Sequence, residues 1–200
     1  QDPDEWWSAI CAATHRLLGR ELVPRSSLVA VAVTAQWMGT VAVDEHGRHI
    51  ANAVIWMDDR GSRHAQAASG GGVTVPTVGY NAAKLRTWLQ VTGGVPSRTG
   101  KDPVRHMLFL KHERPEVYRA AHKLVEPVDH LNARLTGRIC ASYDTITGYW
   151  ATDNRDLSRV EYDQRLVRRA GVDRMKLAPL VPSGSMVGTV RADVADLLGI

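Results

Sequence analysis

The sequence predicts an α/β domain. Three observations carry that expectation. Apolar runs of strand length alternate along the chain with amphipathic stretches of helical period, the order that builds mixed α/β folds. Residues 28–33 form a continuous Leu/Val/Ala run, which reads as a central parallel strand covered on both faces. Two apolar runs stop on side chains suited to binding, Gln36-Trp37-Met38-Gly39 and Trp56-Met57-Asp58-Asp59-Arg60. In α/β sheets, ligands sit just beyond strand ends.

The elements follow in order. Asp2-Pro3-Asp4 starts a helix, with proline in the first turn and acids at the positive end of the dipole. Trp6, Ile10, Ala13, Leu17 and Leu18 give it an apolar stripe, and Gly19 ends it. Residues 28–34 are the strand already described. Gly39 to Val43 opens a hairpin whose turn is Glu45-His46-Gly47-Arg48, and Ile50 to Trp56 returns as a strand. A weak helix runs to Ser69 and ends at the Gly70-Gly71-Gly72 loop. Helices are expected over 81–91, 103–113, 127–136, 161–170 and 192–198, with a helical turn over 115–121. Short strands are expected at 123–126 and 186–190.

Composition narrows the class. Hydrophobic residues make up 44% and charged residues 23% of 200, which fits a packed core and argues against disorder. No apolar run approaches the roughly 18 residues of a membrane span. The acidic opening is unlike a secretory signal, so a cytoplasmic protein is expected, with Cys11 and Cys140 reduced. The eight histidines show no metal-ligand spacing, so no metal site is expected. The net charge of +4 is spread out, and Arg165, Arg168 and Arg169 alternate with apolar residues as on a solvated helix face. Nucleic-acid binding is therefore not expected.

At Gln36 and Trp56 the chain resembles the first domain of the FGGY carbohydrate kinases, a group that includes xylulokinase, glycerol kinase and gluconokinase. Residues Val29 to Gln36 resemble the family's strand ending in Gln, and Ile55 to Arg60 resembles its Trp-x-Asp-x-Arg motif. Phe109-Leu110-Lys111 with Pro115 is similar to its Trp-Leu-Lys-x-x-x-Pro stretch. Pro127-Val128-Asp129-His130-Leu131 and Leu135-Thr136-Gly137 are similar to its Pro-x-Asp-Tyr-Leu and Leu-Thr-Gly motifs. Tyr143-Asp144-Thr145 and Gly188-Thr189-Val190 complete the series, which covers almost the whole chain in order.

The resemblance implies a ribonuclease H-like fold of the actin and hexokinase type, here incomplete and lacking the first strands. It implies that residues 1–200 are a fragment of the N-terminal sugar-binding domain of a two-domain kinase, without the C-terminal nucleotide domain. The implied reaction is transfer of the ATP γ-phosphoryl group to a sugar or polyol hydroxyl, a pentulose such as xylulose foremost, with ATP and Mg²⁺ as cofactors of the full-length enzyme. The family's Asp-x-Gly-Thr phosphate loop and its catalytic Asp have no counterpart, so no catalytic residue and no tight nucleotide site are expected in this fragment. The implied partners are a sugar or polyol substrate and, as an open option, a second copy in a homodimer, with no nucleic acid and no membrane. The rival reading is a non-catalytic actin-like scaffold that has lost its sugar contacts, because Trp37 and Met38 replace polar residues found there in relatives.

Within this frame Gln36, Trp37, Met38, Trp56 and Asp58 are the expected substrate-binding residues. An apolar wall stacks on the CH face of a sugar, and a carboxylate accepts from a hydroxyl. The competing role for Asp58 is to cap the following helix. Arg60 is expected to pair with an acid such as Asp59, and Asp129 to cap its helix.

Overall fold

The computed structural model describes residues 1–200, the side chains at 66–68 excepted. Helix α1 spans Pro3–Leu18, capped by the Asp2 carboxylate on the Asp4 N–H and closed at Gly19. Its buried face centres on Trp7, which joins Leu131, Leu135, Val194 and Leu198 in a side cluster with Ile10 and Cys11 at its margin. That is one residue off the expected stripe, and Leu17 is exposed.

Strand β1 (Val41–Val43) is the buried centre of the main core. It pairs antiparallel with β2 (Lys123–Val125), Val41 opposite Val125 and Val43 opposite Lys123. After β1 the chain turns at Gly47, whose φ of +77° suits a residue without Cβ. The Ile50 N–H returns to the Ala42 carbonyl. The expected strand from Ile50 to Trp56 is reduced to isolated antiparallel bridges, Val43 to His49 and Thr40 to Val54.

Helices α2 (Ser62–Ser69), α3 (Ala82–Thr92), α4 (Pro103–Glu113) and α5 (Pro115–Ala120) follow. Asn81 caps α3 through the Lys84 N–H, and Gly93 ends it in the left-handed region. Helix α4 is the core helix, with Met107, Leu108, Phe109 and Leu110 all buried within the main core cluster that also holds β1 and β2. Helix α6 (Pro127–Thr136) begins directly after β2 and ends at Gly137, φ +76°. Beyond it lie β3 (Ala141–Ser142), α7 (Tyr143–Ile146), β4 (Thr152–Asp153), β5 (Glu161–Tyr162), α8 (Gln164–Ala170), β6 (Leu180–Val181) and α9 (Ala192–Leu198). β3 pairs parallel with β6, and β4 antiparallel with β5.

Three expectations are corrected. Residues 28–35 are not a buried central strand: no ladder partner flanks them among the described residues, and Val29 is 95% exposed. An apolar run reports that a surface needs cover, but not what covers it. Residues 186–190 form no strand, and Met186 is exposed. The stretch 161–170 splits, because Asp163 caps α8 through the Arg165 and Leu166 N–H groups and leaves Glu161 and Tyr162 to pair with β4.

Candidate functional site

The bridge between Thr40 and Val54 is antiparallel, with each residue's N–H donating to the other's carbonyl at 2.7 and 3.0 Å. The residues before Thr40 therefore run beside those after Val54, which brings the two binding-type clusters to one edge of the core. Met38 has a left-handed backbone, φ +62°. This costs an L-residue roughly 1–2 kcal/mol and turns the chain sharply between Trp37 and Gly39.

The corner is held from the 126–148 stretch. The Gly39 N–H donates to Glu126 Oε2 at 3.0 Å. Trp37 Nε1 donates to the Thr145 carbonyl at 3.3 Å. Met38 Sδ packs so close to Gly148 that a Cβ there would lie 2.9 Å from the sulfur. Gln36 Nε2 donates to Gln1 Oε1 at 2.9 Å. Trp37 and Trp56 remain 50% and 51% exposed, so each offers a free indole face.

Asp58 and Arg60 form one unit. The carboxylate accepts the Arg60 N–H at 3.0 Å, its Nε at 2.9 and 3.0 Å and its Nη2 at 2.5 Å. The guanidinium lies 4.4 Å from the centre of the Phe109 ring. Burial pushes the Asp58 carboxyl up, but the Arg60 hydrogen bonds outweigh it and hold it below the ordinary value. Among the described residues Asp58 is thus the acid that pairs with Arg60, and its carboxylate takes the Arg60 N–H, two residues before α2 begins. The Ser62 N–H at the start of that helix goes to the Asp59 carbonyl instead.

Sequence reasoning passed over two residues beneath this surface. His106 on α4 is fully buried, with Nε2 3.3 Å from the Asp58 carbonyl and Nδ1 3.5 Å from Thr40 Oγ1. It underpins both clusters, and burial lowers its pKa to about 4, so it is neutral at pH 7. Glu126 is also fully buried, and burial raises its pKa well above the ordinary value. A Glu before a Pro-started helix reads as a surface residue, and only the packing reveals otherwise.

Asp129 lies on the first turn of α6. It accepts from Thr145 Oγ1 at 3.0 Å, and the Ser142 and Glu126 backbone N–H groups also bear on it. Burial wins over these bonds and raises its pKa from 3.8 to about 7. The folded state then holds a proton that the unfolded chain releases above pH 3.8. The stability this provides is complete below that pH and is lost as pH rises through about 7. Asp129→Asn removes the titration. Its melting temperature relative to the parent is expected to rise by several degrees between about pH 4 and pH 8. Melts at the two pH values check this, and a pH-independent difference refutes it.

The site is an open surface rather than an enclosed cavity. Two cavities, of about 590 and 510 Å³, lie elsewhere: one by Ser62, Arg63, Arg98 and Thr99, the other between Trp7, His49, Arg134 and Asp193. Neither is lined by a residue of 36–39 or 56–60.

The model of the FGGY family of carbohydrate kinases, N-terminal domain, matches residues 1–200. Xylulose kinase from Streptomyces rubiginosus is 31% identical over 192 residues, which cover 95% of this chain and 36% of that protein. The fold matches a gluconate kinase from Lactobacillus acidophilus with a TM-score of 0.78 at 18% identity, over 100% of this chain and 37% of the other. It matches a xylulose kinase from Rhodospirillum rubrum with a TM-score of 0.78 at 19% identity, over 100% and 38%. The chain belongs to the FGGY family of carbohydrate kinases, as a match to its N-terminal domain. Its fold is that of these kinases, of the actin and hexokinase type. It spans little more than a third of the length of the relatives it matches.

Membership of a carbohydrate kinase family implies the use of ATP with Mg²⁺. Lys84 Nζ donates to the Gly70 carbonyl at 2.7 Å and ties the Gly70–Gly72 loop to α3. Among the described residues, Asp2, Asp4 and His49 bring ligand atoms within 4.8 Å of one another, a grouping the sequence spacing did not reveal. Asp4 is already paired with the Arg134 guanidinium, and Asp2 caps α1. Among the described residues no helix is long and apolar enough to cross a membrane.

Proposed function

We propose that this chain is the sugar-binding part of an ATP-dependent kinase that phosphorylates a hydroxyl of a sugar or polyol, with the pentulose xylulose as the first candidate. The observation that carries the reading is the 31% identity to a xylulose kinase over 95% of the chain, together with two half-exposed tryptophans on paired segments. Trp37 and Trp56 supply apolar faces for the CH surface of a sugar. Met38 and Trp37 both pack against Gly148 and together form the wall. Gln36 closes one edge of the surface.

Asp58 is the hydroxyl acceptor. Arg60 takes part of its hydrogen-bonding capacity, fixes its orientation and keeps it ionised. A carboxylate held in this way accepts from a sugar hydroxyl without first reorganising. The nucleotide site and the base that removes the hydroxyl proton belong to the remainder of the whole protein, and closure over the open surface excludes water from the transfer. By itself the chain binds sugar weakly and transfers nothing. A homodimer of the whole protein is compatible with this arrangement.

The test is ADP release by the whole protein with ATP and a panel of xylulose, ribulose, gluconate, glycerol and glucose. Xylulose is expected to give the highest kcat/KM. Asp58→Ala and Trp56→Ala are each expected to lower it by roughly 10- to 100-fold, in line with the loss of a charged hydrogen bond or a stacking face. Turnover of none of the panel defeats the proposal. Full turnover in both variants removes Asp58 and Trp56 from the site.

A further inference from the structure

We infer that Glu126 is the positioning residue of the sugar-facing corner, holding Trp37-Met38-Gly39 in the bent conformation through the Gly39 amide. The inference rests on the sugar-kinase reading for its consequence, not for its geometry.

Four observations carry it. Glu126 is fully buried, where an apolar side chain would be cheaper by the desolvation cost of a carboxyl. It occupies the N-cap position of α6 yet makes no cap hydrogen bond to its own helix. Its Oε2 accepts the Gly39 N–H at 3.0 Å, while Oε1 has no hydrogen-bond partner among the described residues. Among the described residues the carboxyl thus turns to the corner, where the Met38 N–H also bears on it, and makes no cap hydrogen bond to its own helix.

The fourth observation is the adjoining residue. A Cβ on Gly39 would lie 2.6 Å from Cγ and 2.8 Å from Cδ of Pro127. Glu126 draws the corner in by its amide while Pro127 sets how close its backbone comes. The left-handed Met38 lies between this fixed point and Trp37. Trp37 is pinned separately to Thr145, whose hydroxyl in turn donates to Asp129, three residues after Glu126. The first turn of α6 therefore sets the direction of the exposed indole through two routes, one along the backbone and one through Thr145.

Glu126 touches no reacting atom in this scheme, so its removal should affect substrate binding and leave the chemical step alone. Glu126→Gln keeps a carbonyl acceptor of the same shape. Glu126→Leu keeps the volume and orphans the Gly39 amide. In the whole protein, Glu126→Leu is expected to raise the sugar KM about tenfold or more with kcat within about twofold, and to speed hydrogen exchange of the Gly39 amide. Glu126→Gln is expected to stay near the parent in both. Should Glu126→Leu fail to fold, Glu126→Asp draws the acceptor back by one methylene and is expected to show the same rise in KM and the same faster exchange.

The inference is overturned if the apolar or shortened variant leaves KM and Gly39 exchange unchanged, or if Glu126→Gln loses as much as Glu126→Leu. Gly39 exchange reads the positioning without any substrate. A parent protein that turns over no sugar would defeat the functional reading, while the exchange data would still decide the role of Glu126.

Discussion

Asp102→Ala is expected to destabilise the protein by about 3–5 kcal/mol, the usual cost of stranding a buried charge. Asp102 caps α4 by accepting the Arg105 N–H at 3.1 Å, and it takes the Ser97 N–H at 2.7 Å. It also offsets the charge of Arg105, which is fully buried with no hydrogen-bond acceptor for any of its three guanidinium nitrogens among the described residues. Burial raises the Asp102 pKa to about 6, so the carboxyl is mostly ionised at pH 7. Removing it leaves a cation inside the protein with no counter-charge nearby and takes the acceptor from the Ser97 N–H, while the Arg105 N–H keeps the Asp102 backbone carbonyl at 2.9 Å. For a chain of this size the melting temperature should fall by roughly 10 °C or more. The double variant Asp102→Ala with Arg105→Leu should recover much of the loss, since it removes the stranded charge. A single variant that melts within about 2 °C of the parent, or a double variant no better than the single, refutes the argument.

Gly39→Ala is the second large effect. The new methyl would meet the Pro127 ring at 2.6 and 2.8 Å, and a proline ring at the first position of a buried helix cannot swing aside as a flexible side chain would. Either the corner moves outward or α6 shifts. The first breaks the bond to Glu126, and the second disturbs the β2–α6 junction. Overpacking of this kind costs about 1–3 kcal/mol, and the lost hydrogen bond adds about 1 kcal/mol. Thermal melts should show the loss, and Trp37 fluorescence should shift as the indole leaves Thr145. Adding Pro127→Ala removes the ring and should restore part of both. A Gly39→Ala protein with parental melting and fluorescence would show that the corner has room that the packing denies.

Much of the fold was legible in the sequence because local chemistry dictated it. Pro3, Pro103, Pro115 and Pro127 each start a helix, since a missing N–H costs nothing there. Gly93, Gly137 and Gly199 end helices in the left-handed region. The strands were less legible. A helix satisfies its backbone within its own segment, whereas a strand exists only where another strand is placed beside it. The apolar runs at 28–34 and 186–190 have strand composition but no partner among the described residues. Glu161 and Tyr162 lie in a stretch of helical pattern yet pair with Thr152 and Asp153.

The candidate site divides in the same way. The sequence alone marked Gln36, Trp37, Met38, Trp56 and Asp58, because residue type and order along the chain carried the family pattern. Only the tertiary structure paired Asp58 with Arg60 and set His106 beneath both clusters. Only it turned Glu126 inward to the Gly39 amide. Periodicity and motif spacing record what each segment can do by itself. The burial of a carboxyl and the aim of a hydrogen bond depend on groups some 50 to 90 residues away in the chain, here Asp58 with His106 and Gly39 with Glu126, and those are fixed only when the elements pack.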